Sequence, residues 1–300
     1  MSPILNHLAT ILTYTFLYLA VVLLWVPSFK KIPLWGVALL LSVVFGLVSL
    51  RIDFIGLVFI LILACATLFL NNKKIPMTVR VLSAFVLFAL GLGLGLAGVH
   101  FLPGFQNLRV LNNVYISSNG IPFSLYLNFD KTVVGIFILG ILHQRITTKA
   151  EWRELFKVMT PRALLVIFIV AILSFAFKFV WFDPKLAPSL PIWAVTNLLF
   201  VCLAEEGFFR GFIQKYLCLT LRRVRYGNAI AIILSSILFG LSHFLGGTRY
   251  VILSTIAGIG YGWIYWRTQR IEASILTHFS LNLVHFLLFT YPALANNASH

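Results

Sequence analysis

The chain has 300 residues, of which 60% are hydrophobic and 10% are charged, and its formal net charge at pH 7 is +15. Soluble domains carry about 25% charged residues, so this composition excludes an ordinary soluble domain and indicates a polytopic membrane protein. The positive charge does not indicate nucleic-acid binding, because most Lys and Arg residues lie in connections between apolar segments, where an anionic lipid surface attracts them.

Ten apolar segments follow one another along the chain, each close to the roughly 20 residues that a membrane-spanning helix requires. They cover approximately residues 8–26, 33–50, 54–70, 81–102, 121–142, 161–182, 192–216, 228–245, 250–266 and 272–290. We therefore predict an all-α fold, a transmembrane helix bundle of about ten spans with eight as the lower limit. The segment 121–142 is the weakest of the ten, because Asp130 and Lys131 lie within it.

The distribution of basic residues predicts the orientation of these segments. With the N-terminus outside and ten alternating spans, 16 of the 23 Lys and Arg residues fall in inside connections, six fall outside, and Arg210 lies within the membrane. Cytoplasmic loops are enriched in Lys and Arg. We therefore predict a multi-pass protein of the plasma membrane, with both termini outside and cytoplasmic connections at 143–160 and 218–227.

The pattern divides the chain into three predicted parts. Residues 1–120 contain four helices and a polar connection, and nothing in them indicates a reaction. Residues 121–190 contain connecting helices and a basic cytoplasmic segment, after which Pro161 is predicted to open the sixth helix. Residues 191–290 form a compact set of helices that carries the candidate site.

Two adjacent carboxylates, Glu205 and Glu206, lie within a long apolar run. Burying a carboxylate in hydrocarbon is costly, so ionisable residues inside membrane segments indicate function. Arg210 follows Glu206 by four residues on the same helix face, which predicts an ion pair. A purely structural role in helix packing would explain this pair, but it leaves Glu205 unexplained.

Polar groups recur in two later helices. His243 closes a Phe-x-x-x-His pattern, and His278 and Asn282 are four residues apart, so they share a helix face. At a rise of 1.5 Å per residue, Glu205 and His278 lie about 15 and 12 Å from the ends of their helices, whereas His243 lies about 22 Å from the start of its own. The His243 helix is therefore predicted to tilt, to start late or to break near Gly240, so that the groups converge around a cavity.

This set of residues predicts hydrolysis by an activated water. A carboxylate and an imidazole can deprotonate a water for attack on a carbonyl, and His and Asn side chains can stabilise the resulting oxyanion. The alternative is a zinc site with Glu205, His243 and His278 as candidate ligands, because two His, one Glu and a water form a known hydrolytic shell. The sequence lacks the His-Glu-x-x-His pattern. The cofactor stays open at this point, with the metal-free interpretation favoured over zinc.

Three motifs at these residues resemble those of the CPBP intramembrane proteases, also called the Abi or type II CAAX prenyl endopeptidase family. The motif EExxxR begins at Glu205, FxxxH ends at His243, and HxxxN runs from His278 to Asn282, so the resemblance covers about residues 190–290. It implies an all-α membrane fold with its site inside the bilayer. It also implies that Glu205 and His243 activate water and that His278 and Asn282 form the oxyanion hole.

The resemblance further implies an endopeptidase, commonly labelled a metalloprotease, whose eukaryotic members cleave prenylated proteins. Two other functions compete with it. A proton-coupled transporter also uses buried Glu and His, but residues 1–150 hold no counterpart of the Glu, His and Asn set that a repeated half would carry. A non-catalytic immunity or scaffold protein would keep the motifs for packing. We predict an endopeptidase whose partners are the bilayer and a membrane protein or peptide substrate, which can be lipidated.

Overall fold

The computed structural model describes residues 3–96 and 98–295. It divides into two compact units, one formed by Met1–Leu108 and Leu127–Thr147, the other by Arg109–Tyr126 and Thr148–His300. The helical architecture is confirmed, since helices account for most of the described chain and the only sheet in these ranges has two strands. The two strands are β1 (Leu108–Val114) and β2 (Phe123–Leu127).

Within its described residues, the first unit contains four helices joined by short connections and a fifth helix that follows the two strands. Its helices are α1 (Pro3–Val22), α2 (Leu34–Val48), α3 (Phe54–Asn71), α4 (Met77–Gly93) and α5 (Phe129–Phe137). Helix α1 packs against α2, and α3 packs against α4. The Asp53 carboxylate caps α3, because its Oδ1 atom accepts hydrogen bonds from the backbone N–H groups of Ile55 and Gly56.

The predicted fifth span, residues 121–142, does not form a single helix. Strand β2 occupies its first part, and α5 begins only at Phe129 and continues as a π-helical turn to Leu142. The reason is a polar anchor at Asp130, which is 1% exposed and contacts His100 and the side-chain amide of Asn107. Asp130 therefore lies in the first turn of a short helix, not in the middle of a long spanning helix.

The second unit contains the remaining helices and the candidate site. They are α6 (Lys149–Ala176), α7 (Leu190–Thr196), α8 (Leu203–Glu206), α9 (Lys215–Thr220), α10 (Gly227–Leu241), α11 (Gly247–Thr268) and α12 (Ile271–Leu288). Two π-helical stretches, Asn197–Cys202 and Gly207–Gln214, join α7, α8 and α9 into one continuous helical run. Helices α6 and α12 both pack against α11.

Helix α6 begins earlier than predicted. Pro161 does not open it but lies inside it, because a capping box starts the helix at Lys149. The Thr148 hydroxyl accepts from the backbone N–H of Glu151, and the Glu151 carboxylate accepts from the backbone N–H of Thr148. This reciprocal pair satisfies two of the N–H groups that a helix start leaves without partners.

Within the described part of the chain, five helical segments are long and apolar enough to cross a membrane, and they support a multi-pass membrane protein. They are Pro3–Trp25, Phe54–Asn71, Lys149–Ala176, Leu190–Thr220 and Ile271–Leu288. Helix α10 and the helix that follows it, Phe244–Thr268, are bent by 60° and would add a sixth span if they cross as one. By this measure the number of spans is lower than the eight to ten predicted, because several apolar segments form shorter or bent helices.

The segment after α12 packs between two other extended segments of the second unit. The backbone N–H of Thr290 donates to the carbonyl of Trp181, and the N–H of Ile121 donates to the carbonyl of Ala293. The Lys185 ammonium pairs with Asp183, and together with the Ser117 hydroxyl it holds the pKa of the Asp183 carboxyl below its usual value. Residues 117–121, 179–185 and 289–295 thus form one connected layer.

Candidate active site

Glu206, Arg210 and His278 form a buried cluster centred on one carboxylate oxygen. The Glu206 Oε1 atom accepts a hydrogen bond from Arg210 Nη1 at 3.0 Å and lies 2.9 Å from His278 Nδ1. Glu206 and Arg210 are 0% exposed and His278 is 4% exposed. The predicted Glu206–Arg210 ion pair is therefore present, and it extends to His278, which the sequence spacing did not indicate.

Arg210 contacts helices α10 and α11 as well as Glu206. Its Nη2 atom donates to the Gly258 carbonyl at 2.9 Å, and its guanidinium carbon lies 4.4 Å from the ring centre of Phe239 and 5.3 Å from that of Tyr261. Cation–π contacts of this kind strengthen when water is excluded. The guanidinium thus has a fixed position from which it neutralises Glu206.

His278 is oriented by its neighbours as well as by Glu206. Its ring stacks on Tyr261 with 4.7 Å between ring centres and meets Phe239 edge-on at 5.6 Å. Because the Glu206 carboxylate accepts from Nδ1, the proton of a neutral His278 ring is on Nδ1 and the lone pair is on Nε2. A doubly protonated ring would donate from Nε2 as well as from Nδ1.

His243 lies at the break between α10 and α11. Helix α10 ends at Leu241, so the predicted break near Gly240 is present and brings His243 out of the helical register. Its Nδ1 atom lies 2.8 Å from the Phe239 carbonyl, and a carbonyl can only accept, so Nδ1 carries a proton. The ring also meets Tyr250 edge-on, with 5.1 Å between ring centres.

Asn282 belongs to a small polar group with Asn197 and Cys202. Its Nδ2 atom donates to Asn197 Oδ1 at 3.2 Å, and Cys202 Sγ donates to the same oxygen at 3.3 Å. Asn197 and Cys202 are both buried and lie at the two ends of one π-helical stretch. The irregular helix therefore supplies the contacts that orient the Asn282 amide.

Glu205 is half-buried and lies beside the cluster rather than within it. The carboxylate that accepts from Arg210 and His278 belongs to Glu206, whereas the Glu205 charge acts electrostatically on Tyr250 and Arg210. Tyr250 is also the ring that contacts His243. Tyr250 therefore interacts with both Glu205 and His243.

A cavity of about 80 Å³ opens beside these groups. Since one water needs about 10–15 Å³ measured in this way, the cavity can hold several waters or a small part of a substrate. His243, His278 and Asn282 all line it, whereas Glu205, Glu206 and Arg210 are not among its lining residues. Most of the remaining wall is apolar and comes from α6, α11, α12 and the layer formed by residues 179–185 and 289–295.

Comparison with known proteins gives one match. Residues 187–284 match the family model described as Type II CAAX prenyl endopeptidase Rce1-like. This segment is therefore similar to an Rce1-like domain, and it is called the Rce1-like domain below. No curated protein and no solved structure matches the chain.

The match confirms the resemblance that the three motifs indicated, and it includes all six predicted site residues. A match to a prenyl endopeptidase model supports a protease, and the apolar helices support its place in a membrane. Residues 1–186 lie outside the match. Their contribution is not described by the family.

The Rce1-like domain does not fit the zinc interpretation in this structure. Within residues 3–96 and 98–295, no three His, Cys, Asp or Glu side chains are grouped so that they could hold a metal ion. His278 directs Nδ1 at Glu206, and His243 directs Nδ1 at a backbone carbonyl. We therefore derive no step from a metal.

Two tyrosines were missed by sequence analysis, and a third residue, His285, is interpreted from the sequence as a buried core histidine or as a partner of His278. Tyr250, Tyr261 and His285 line the cavity together with the predicted residues. The spacing of His285, seven residues after His278, is a signal for a shared helix face. Tyr250 and Tyr261 had no such signal, because their positions depend on the bend between α10 and α11.

Gly258 allows Arg210 to reach the backbone of α11, and its replacement is a test of this contact. A Cβ atom at Gly258 would lie 2.9 Å from Arg210 Nη2 and 3.1 Å from Phe239. We expect Gly258→Ala to displace the guanidinium and to lower the cleavage rate at least tenfold, with a loss of stability of about 1–3 kcal/mol. Peptide cleavage and thermal unfolding of the purified protein measure the two effects.

Gly262 offers a matched control one helical turn further along α11. Its added Cβ would meet Gln214 at 2.6 Å and would disturb the bond from Gln214 to the Gly262 carbonyl, without contact to Glu206 or His278. We expect Gly262→Ala to cost similar stability but less activity. Equal losses of activity in the two variants would contradict the positioning role of the Gly258 contact.

Proposed function

We propose that the protein is an intramembrane endopeptidase that hydrolyses a peptide bond of a membrane-associated protein or peptide by means of an activated water. The observation that carries this proposal is the cluster in which one Glu206 oxygen meets both Arg210 and His278, next to a cavity lined by His243, His278 and Asn282. Two imidazoles and an amide line the cavity, and a buried acid contacts one of the imidazoles, which supplies the groups that hydrolysis of an amide requires.

In the proposed mechanism, Glu205 and His243 activate the attacking water. Glu205 is half-buried beside the cluster and has the charge needed to accept a proton. His243 lines the cavity, and its Nδ1 proton is directed at a backbone carbonyl, so that Nε2 is the nitrogen that can accept a proton from water. The proton taken from the water is then available for the leaving amine.

Oxyanion stabilisation is assigned to His278 and Asn282. The Glu206 carboxylate contacts Nδ1, so a His278 ring that also carries a proton on Nε2 can donate it to the oxyanion. Asn282 has its amide oriented by Asn197 and supplies a second polar group at the cavity. Glu206 and Arg210 act through His278, by fixing the position of its ring.

A comparison of membrane peptides tests the proposed activity. Cells that express the wild type are compared with cells that express Glu205→Gln at the same level, and new peptide termini of membrane proteins are identified by mass spectrometry. We expect a set of termini that is present with the wild type and lost with the variant. Identical profiles would favour a non-catalytic immunity or scaffold protein.

The orientation in the membrane is part of the proposal. We propose that the protein resides in the plasma membrane with both termini outside, because the positive-inside rule assigns most basic connections to the cytoplasm. A reporter fused after Ser299 is expected to be active outside the cell, and a reporter in the connection 218–227 is expected to be active inside. A cytoplasmic signal from the terminal fusion would contradict the orientation.

We also propose that the site works without a metal. The expected result is purified, active protein with less than stoichiometric zinc and with activity that survives a chelator. Zinc bound at one ion per chain and lost in His243→Ala would contradict the proposal, and metal analysis with a cleavage assay provides both readouts. The division into parts 1–120, 121–190 and 191–290, with the third as the catalytic bundle, stays a prediction.

A further inference from the structure

A second concave site lies outside the catalytic cavity, at the connection between α9 and α10. It is a groove of about 540 Å³ whose lining includes Arg222, Tyr226, Ile232, Trp263 and Trp266. None of its lining residues belongs to the catalytic cavity. We call it the arginine–tryptophan groove.

The polar end of this groove is strongly basic. Arg222, Arg223 and Arg225 lie in one short connection, and the sequence contains no Asp or Glu anywhere between Glu206 and Glu272. The guanidinium carbon of Arg225 lies 4.8 Å from the ring centre of Tyr226, which lines the groove. Positive charge is therefore concentrated in this connection, with no acidic residue near it in the sequence. A ligand of complementary charge is an anion.

The rest of the groove is apolar and lies at the level of a membrane surface. The connection follows the spanning run Leu190–Thr220 and precedes α10, so it lies at the end of membrane segments in either orientation. Tyr226 is 68% exposed and Trp266 is 37% exposed, with Ile232 and Trp263 behind them. Trp and Tyr are enriched where a membrane segment meets the headgroup region.

We propose that the arginine–tryptophan groove binds an anionic phospholipid of the surrounding bilayer. The headgroup phosphate pairs with Arg222, and an acyl chain lies along Ile232, Trp263 and Trp266. A soluble anion would use only the basic end and would leave the apolar floor exposed to water. A zwitterionic lipid would bring its own ammonium group into the same basic end, where like charges repel.

Native mass spectrometry of the full chain tests this proposal with a matched pair of variants. Arg222 lines the groove, whereas Arg223 carries the same charge in the same connection and does not line it. The protein is reconstituted with equal amounts of phosphatidylglycerol and phosphatidylcholine, and the retained lipids are counted. We expect the wild type to retain phosphatidylglycerol preferentially, Arg222→Gln to reduce this retention roughly fivefold, and Arg223→Gln to behave as the wild type.

Three results would overturn the proposal. Equal losses in the two variants would mean that the lipid responds to diffuse charge rather than to a site. No loss in Arg222→Gln would mean that the groove does not select the headgroup. Displacement of the retained lipid by millimolar glycerol 3-phosphate would mean that the basic end recognises a free phosphate ester and that the apolar floor plays no part.

Discussion

Glu206→Gln is expected to lower the stability of the protein by about 3–5 kcal/mol, the cost of leaving a buried charge without its partner. Gln is nearly isosteric with Glu, so the loss reports charge and not shape. Arg210 is 0% exposed, and Glu206 is the carboxylate on which its guanidinium and His278 Nδ1 both converge. Thermal unfolding of the detergent-purified variant measures the effect.

The double variant Glu206→Gln, Arg210→Gln separates the charge from the rest of the cluster. Removing both charges is expected to restore part of the stability lost in Glu206→Gln. The recovery should be incomplete, because Arg210 also donates to the Gly258 carbonyl and packs on the Phe239 ring. Wild-type stability in Glu206→Gln alone would mean that the ion pair does not hold the cluster together.

Glu205→Gln is expected to give the opposite result, with a cleavage rate about 10² to 10⁴ times lower and nearly unchanged stability. The rate falls because Gln cannot accept a proton from water. Stability is kept because Gln is nearly isosteric with Glu, Glu205 is half-buried, and the exchange leaves Glu206 in contact with Arg210 and His278. A single-turnover cleavage assay and a thermal unfolding curve on the same preparation measure both.

Glu154→Gln is the control for Glu205→Gln, since it makes the same chemical change in the exposed part of α6, away from the catalytic cavity. It should leave both rate and stability as in the wild type. A Glu205→Gln protein that cleaves at close to the wild-type rate would remove Glu205 from the proposed mechanism. A large loss of stability would instead assign it to the packing of the cluster.

The helices and the identities of the candidate residues were predictable because they depend on local information. Apolar runs mark the helices, and the spacing of four residues was sufficient to predict the contact between Glu206 and Arg210. The contact between Glu206 and His278 was not predictable, because it joins residues 72 positions apart through the packing of α12 against α8. The Gly258 carbonyl that accepts from Arg210 is a backbone group, which every residue has, so no residue pattern predicts this contact.

Helix boundaries were less predictable than helices. The preference of proline for the first position of a helix predicts a start at Pro161, whereas the capping box of Thr148 and Glu151 starts the sixth helix twelve positions earlier, at Lys149. The break at His243 was predictable for a different reason. Its distance along a straight helix disagrees with the distances of Glu205 and His278, which favours a break, and the chain bends by 60° at this point.

The two π-helical stretches, Asn197–Cys202 and Gly207–Gln214, have a consequence for how the chain tolerates changes of length. Each wide turn holds about one residue more than an α-helical turn, so losing a single residue there leaves a sequence that can close as ordinary α-helix. Residues beyond such a deletion would keep nearly the same helix face, whereas loss of one residue from an ordinary α-helix rotates everything beyond it by about 100°. The direction of Glu206 and Arg210 is therefore expected to withstand loss of one residue from Asn197–Cys202 better than loss of one residue from α7.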